Sequence, residues 1–270
     1  MRKLSEKELK ELMLEGLIEF KNQCQKYNLR YYLAYGSLLG AVRHKGFIPW
    51  DDDIDIWMPR EDYDKMISIS KDFSTSSWEV VSNQINNNYL FTFAKFCNKH
   101  TVTPPSRFRN GFLYGICIDL FPLESSVENQ TEFEVRSMMD TISNKYGVML
   151  GRYYGFSNNS CLVDKCKQMI WRLYAKMKYP TYSDIIKMLD AEYRKQGMAK
   201  GDLYYCCQTH LRNIWKINDF GVGVELLFEN HKLIAPNNYD NILRSLYGDY
   251  WQLPSESDRI APHDFIAYWK

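Results

Sequence analysis

Residues 31–60, YYLAYGSLLGAVRHKGFIPWDDDIDIWMPR, limit what this chain can fold into more than any other stretch. They open on an apolar, aromatic run, 31–35, whose composition is that of a buried strand. Gly36-Ser37 then breaks the run. Glycine permits a tight turn and close backbone approach to a ligand, and Ser37 is placed to cap a short helix over 38–42. A strand that turns through Gly-Ser into a helix aims free backbone N–H groups at one point, where a phosphate can sit.

Four carboxylates follow within five residues: Asp51, Asp52, Asp53 and Asp55. Read as a strand, 53–58 places Asp53 and Asp55 on one face and sends Ile54 and Ile56 into the core. Two carboxylates fixed side by side repel each other unless a cation lies between them. Hard oxygen ligands of this kind suit Mg²⁺ shared with substrate phosphates. The alternation with isoleucine and the Pro49-Trp50 lead-in set the run apart from a solvated acidic loop.

The surrounding chain narrows the class. Its 270 residues have room for a large core, and no repeat or low-complexity linker divides them. One continuous domain is expected, with an N-terminal helix in 1–28, a catalytic core in 29–126 and a mainly helical region in 127–270. The formal net charge of +1 gives no overall field for nucleic acid. No apolar run reaches membrane-spanning length, and the first residues lack the apolar core of a signal peptide. Seven cysteines, an odd number without a CxxC pair, fit reduced thiols. A cytoplasmic location, or one at the cytoplasmic face of a membrane, follows.

Ser5-Glu6-Lys7-Glu8 is a capping box, and Leu9, Leu12, Met13, Leu17, Phe20 and Cys24 follow at helical spacing. A helix is expected over 61–71, then strands over 78–85 and 89–96 joined by an Asn-rich turn. Lys95, between Phe93 and Phe96, reads as an edge lysine. Arg107 and Arg109 lie on a loop that could fold over a phosphate or simply connect elements. The apolar run 113–122, LYGICIDLFP, reads as a buried strand, in which Asp119 needs a hydrogen bond, a partner or a metal. Beside Asp53 and Asp55 it would complete a metal site.

Farther on, 162–179 is a basic amphipathic helix. One face carries Leu162, Val163, Cys166, Met169, Ile170, Leu173, Tyr174 and Met177; the charges are Lys165, Lys167, Arg172, Lys176 and Lys178 against a single acid, Asp164. Such a helix can lie peripherally on an anionic membrane or pack in a core with a basic outer face. Cys161, Cys166, Cys206, Cys207 and His210 lack the paired spacing of structural zinc sites.

The motifs then carry a resemblance. Gly36-Ser37-Leu38-Leu39-Gly40, Arg43-His44-Lys45-Gly46-Phe47-Ile48-Pro49-Trp50, Asp51-Asp52-Asp53-Ile54-Asp55 and Met58-Pro59-Arg60-Glu61-Asp62-Tyr63 resemble the signature of the LicD family of phosphotransferases, which also contains the fukutin-type proteins. Ile118-Asp119-Leu120-Phe121-Pro122 is similar to the family's third-carboxylate strand. Leu246-Tyr247-Gly248-Asp249-Tyr250-Trp251 with Arg259 and His263 is similar to its C-terminal element. The middle, 127–213, carries no matching motif.

The resemblance implies an α/β (α+β) fold: a nucleotidyltransferase-like mixed β-sheet flanked by helices. Asp53, Asp55 and Asp119 map onto the catalytic, metal-binding carboxylates, with Mg²⁺ or Mn²⁺ as the ion. Gly36 and Ser37 fall where the superfamily holds the metal-bound nucleotide. Family members use a CDP-activated alcohol, such as CDP-choline or CDP-ribitol, transfer the alcohol phosphate to a glycan hydroxyl and release CMP. The expected donor is CDP-choline and the acceptor a cell-surface glycan precursor, free or lipid-linked. Arg43 and Lys45 would neutralise the leaving CMP, or are solvated residues at a helix end. Phe47, Trp50 and Trp57 are the nearby aromatics for a quaternary ammonium, though Trp57 is equally suited to packing. A nucleotidyltransferase releasing pyrophosphate and a glycosyltransferase using a nucleotide sugar are the rival readings.

Overall fold

The computed structural model describes residues 1–89, 91–103, 113–150, 162–178, 181–197, 201–207, 213–261 and 266–270. Ser5 and Glu8 close the expected capping box: Glu8 N–H donates to Ser5 Oγ (3.3 Å) and Ser5 N–H to Glu8 Oε2 (2.9 Å). This starts α1 (Glu6–Tyr27), whose Met13, Gly16, Leu17, Phe20 and Cys24 form the buried stripe. Phe20 meets Tyr31, Phe73 and Phe96 edge-on at 5.7–5.8 Å. The helix thus covers one face of the sheet.

That sheet is built from β1 (Tyr32–Leu33), β2 (Asp55–Pro59), β3 (Trp78–Val81), β4 (Ala94–Asn98) and β6 (Cys117–Ser125), with β5 (Thr101–Val102) outside it. The order is β1-β2-β6-β4-β3. Strands β2 and β6 run parallel, and the other neighbours are antiparallel. A parallel pair needs a crossover. Here it is made by α3 (Arg60–Ser68), α4 (Ser70–Phe73) and the β3–β4 hairpin, while α2 (Tyr35–Arg43) precedes β2.

The far end of β6 pairs with β7 (Leu203–Tyr205), which pairs with β8 (Ile214–Lys216). The chain continues through α5 (Glu132–Leu150), α6 (Leu162–Lys178) and α7 (Tyr182–Gly197) before β7. After β8 come α8 (Ile217–Phe220), the hairpin β9 (Val224–Phe228) with β10 (His231–Ala235), α9 (Tyr239–Tyr247) and β11 (Tyr268–Trp269). Strand β11 pairs with β5, and Leu4 N–H donates to Ala267 O (3.0 Å), so the two ends of the chain meet. The mixed sheet with flanking helices is the expected α+β class.

Several boundaries differ from those read in the sequence. The 31–35 run is a strand only at β1, and α2 begins at Tyr35, not at residue 38. Tyr35 takes φ of 41°, a left-handed conformation that turns the chain before Gly36 is reached. Ser37 is therefore inside the helix; the cap position belongs to Ala34, which makes no side-chain capping bond. The helix expected over 61–71 divides at Ile69 into α3 and α4. The hairpin connection spans 82–93, longer than an Asn-rich turn, and the apolar strand is β6, displaced toward the C-terminus.

Arg60, at the start of α3, is 7% exposed and pairs with Glu124 of β6, which is fully buried. Its Nη1 also reaches Asp190 of α7 (3.1 Å) and Asp64 (3.4 Å). Arg194 of α7 completes the network through Asp64 (2.9 Å) and Asp190 (2.8 Å). Buried charges persist only when paired, so this network ties the helical region to the sheet.

Candidate active site

Strand register sets the centre of the site. Asp55 of β2 lies opposite Asp119 of β6, and Asp119 lies opposite Lys95 of β4. Neighbouring residues in register share a sheet face, so Asp55, Asp119 and Lys95 form one row across three strands. Asp119 N–H donates to Ile54 O (2.9 Å), while Ile54 and Ile56 are fully buried, as the alternation predicts. Asp53 precedes β2 instead of lying within it.

Helix α2 is stitched to the start of β2. Asp55 N–H donates to Ser37 Oγ (2.9 Å), and Ala34 N–H donates to Asp55 O (3.0 Å). Gly36 allows Asp51 to come close, because a Cβ there would collide with the Asp51 carboxylate. Asp51, Asp53, Asp55 and Asp119 all line one cavity of about 1080 Å³, together with Gly36, Arg43 and Trp50. Its aromatic lining is Tyr35, Phe93, Phe121, Tyr247 and Tyr250.

Carboxylates this crowded hold their protons more tightly. Burial, then the charge of Asp53, pushes Asp51 up to about 7. Burial and the charges of Asp53 and Asp119 raise Asp55 well above the usual range. Asp119 is also raised by burial, with Lys95 acting against the shift. Among the described residues, Asp51, Asp52 and Asp53 each bring an oxygen within 4.8 Å of the others. This all-oxygen set, with Asp55 beside it, fits a hard divalent cation. The sequence groups Asp51 with the other acids but does not show its approach to Gly36, which exists only in the fold.

The opposite wall comes from the end of the chain: Tyr247, Asp249, Tyr250, Gln252 to Ser255 and Ile260. Arg43 holds it, donating from Nη1 to Tyr250 O (2.7 Å). Arg259 stands 5.6 Å over the Trp50 ring and donates from Nε to Pro254 O (3.0 Å). Arg43, which reaches a carbonyl 207 residues away, and Arg259, over the Trp50 ring, thus join the two walls.

Other candidates lie elsewhere. Lys45 donates to Val42 O (3.1 Å) and is not part of the cavity lining. Trp57 is fully buried against Tyr35, Trp215 and Phe220, and Phe47 packs on Phe228 (4.9 Å), so of the three proposed cage aromatics only Trp50 faces the cavity. Lys95 is not an edge lysine: β4 lies between β6 and β3, and Lys95 is buried in contact with Asp119. Arg107, Arg109, His263, Cys161 and His210 lie outside the described residues. Cys166 is exposed on α6 while Cys206 is fully buried.

The mixed sheet thus gathers aspartates from adjacent strands beside a helix start, at the wall of one cleft. Residues 28–145 match the family described as LicD/FKTN/FKRP, nucleotidyltransferase domain, and the chain carries a LicD-family domain over that span. Along its length the chain is 25% identical to the lipopolysaccharide cholinephosphotransferase LicD of Haemophilus influenzae, over 99% of each chain. It is 56% identical to the human ribitol 5-phosphate transferase FKRP over 34 residues, 13% of this chain and 7% of that one. It is also 33% identical to the uncharacterized protein RT0683 of Rickettsia typhi over 108 residues, 37% of this chain and 33% of that one.

Proposed function

We propose that the protein transfers an alcohol phosphate, phosphocholine from CDP-choline, onto a hydroxyl of a cell-surface glycan precursor and releases CMP. The observation that carries this reading is the in-register Asp55–Asp119 pair facing one cleft with Asp51 and Asp53. Full-length similarity to a cholinephosphotransferase supports the choice of alcohol. The aromatic lining suits a quaternary ammonium, which is attracted to ring faces.

In this reading Asp53 and Asp55 hold Mg²⁺ or Mn²⁺, which when bound offsets charge on the donor diphosphate. The backbone at Gly36 holds phosphate oxygens at the start of α2. Ser37, expected to share that role, is buried outside the cavity lining and instead fixes α2 to the strand by accepting the Asp55 N–H. Asp119 takes the proton of the acceptor hydroxyl. That oxygen bonds to the phosphorus bearing choline, and the bond from this phosphorus to the CMP oxygen breaks in line. Arg43, already lining the cleft, faces the charge that develops on CMP.

Calorimetric titration of CDP-choline, CDP-ribitol, CTP and a nucleotide sugar, with and without Mg²⁺, tests the donor. Mg²⁺-dependent binding of CDP-choline, lost in Asp55→Ala, is the expected result. Preference for CTP or for the nucleotide sugar would overturn the reading in favour of a nucleotidyltransferase or a glycosyltransferase. CDP-ribitol is the alternative donor, favoured by the short, 56% identical match to the ribitol 5-phosphate transferase.

The acceptor's setting is argued from α6. Val163, Met169, Ile170, Leu173, Tyr174 and Met177 are all exposed on it, on a helix with five basic residues and one acid. No helix of the described residues is long and apolar enough to cross a membrane. An exposed apolar stripe with basic flanks complements an anionic lipid surface, where a lipid-linked acceptor would be presented.

A further inference from the structure

We propose that Lys95 is a fixed cation of the site, taking at Asp119 the place that a second divalent ion takes in two-metal enzymes, so that the protein binds one divalent ion. The inference rests on the metal-site reading above.

Lysine is almost never fully buried unless paired. Lys95 is 6% exposed, at the centre of the sheet, with its ammonium on Asp119 Oδ1. Three rings surround that ammonium: Phe91 at 5.1 Å, and Phe93 and Tyr114 each at 5.2 Å. Ring faces attract a desolvated cation. The charge is therefore held on one side by a carboxylate and on the others by aromatic faces, and it has nowhere to withdraw without losing both.

Two-metal sites place their ions about 3.5–4 Å apart, commonly sharing carboxylates. An ion on Asp119 would share its carboxylate with an ammonium already seated on Oδ1, where Cys117 Sγ also approaches (3.6 Å). Two positive centres on one buried carboxylate repel strongly at low dielectric. Lys95 is thus a positioning residue. It holds one oxygen of Asp119 and favours the charged form against burial, at a residue that lines the cleft.

Mn²⁺ titration of the intact chain, followed by the paramagnetic resonance signal of free ion, counts the sites directly. The expected counts are one Mn²⁺ per chain in the wild type and in Lys95→Arg, and two in Lys95→Met. Two in the wild type, or one in a Lys95→Met protein whose circular dichroism is native, overturns the inference and leaves the metal-site reading standing. No binding in the wild type overturns the metal-site reading itself. If Lys95→Met does not fold, the wild-type count decides.

Discussion

Four aspartates share one end of the cleft, and their mutual repulsion decides how each behaves before any ion arrives. Asp51 is held up to about 7 by burial and by Asp53, against 3.8 for a free side chain. In the folded state it keeps a proton that the unfolded chain gives up, so its contribution to stability is full below about pH 4 and lost as the pH rises through 7. The thermal midpoint of the protein in chelator should fall between pH 5 and 7.5, and saturating Mg²⁺ should flatten that fall; a flat profile in chelator would contradict it. The same repulsion separates function from stability at Asp55. Asp55→Asn should cut turnover by about 1000-fold or more, on the scale of losing an electrostatic catalytic group, while leaving the metal-free thermal midpoint equal to or above wild type. Both are read from one preparation by product assay and calorimetry. Strain is local too. Tyr35 holds φ of 41° where the chain turns under Asp55, and left-handed backbone costs a non-glycine residue about 1–2 kcal/mol.

Elements show which physical signals a linear sequence carries. The α1 cap and stripe are legible because both depend on neighbours three and four residues away. Phe20→Ala, at the centre of that stripe, should cost about 3–5 kcal/mol in denaturant unfolding, the usual range for a large buried side chain. Asp53 and Asp55 are legible as a pair because isoleucine alternates with them, and Asp119 because an acid in an apolar strand needs a reason. Lys95 was not legible as a site residue: whether a strand is edge or centre depends on β6 arriving beside it from twenty residues downstream, and no local pattern encodes that. Trp57 stays open between cage and packing in the sequence for a related cause. On β2 both faces are covered, so alternation no longer separates core from cleft. The Arg60 network is equally non-local. Arg60→Leu should lose about 3–5 kcal/mol by stranding Glu124, and adding Glu124→Leu should recover most of it, as removing both buried charges does elsewhere; no recovery would mean that the network does more than balance charge.

At the scale of the whole molecule, α6 keeps Val163, Met169, Ile170, Leu173, Tyr174 and Met177 exposed among the described residues. Sedimentation with vesicles of phosphatidylcholine alone and with phosphatidylglycerol should show binding only to the anionic set, weakened at least tenfold in Ile170→Glu/Leu173→Glu. Equal binding by that variant would remove the lipid surface from the account, and dimerisation abolished by it would assign the face to a second copy. The helix was visible in sequence, but its solvent exposure was not, since a core helix and a surface helix share one periodicity. The cleft, too, is a long-range object. Its carboxylate wall is complete by Asp119, and its other wall waits for Tyr247 to Ile260, pinned by Arg43 onto Tyr250. Translation delivers these walls in that order. A nascent chain therefore carries its acidic residues through the whole stretch from Asp119 to Tyr247 with no enclosed volume in which to retain a nucleotide, and competence waits for the second wall.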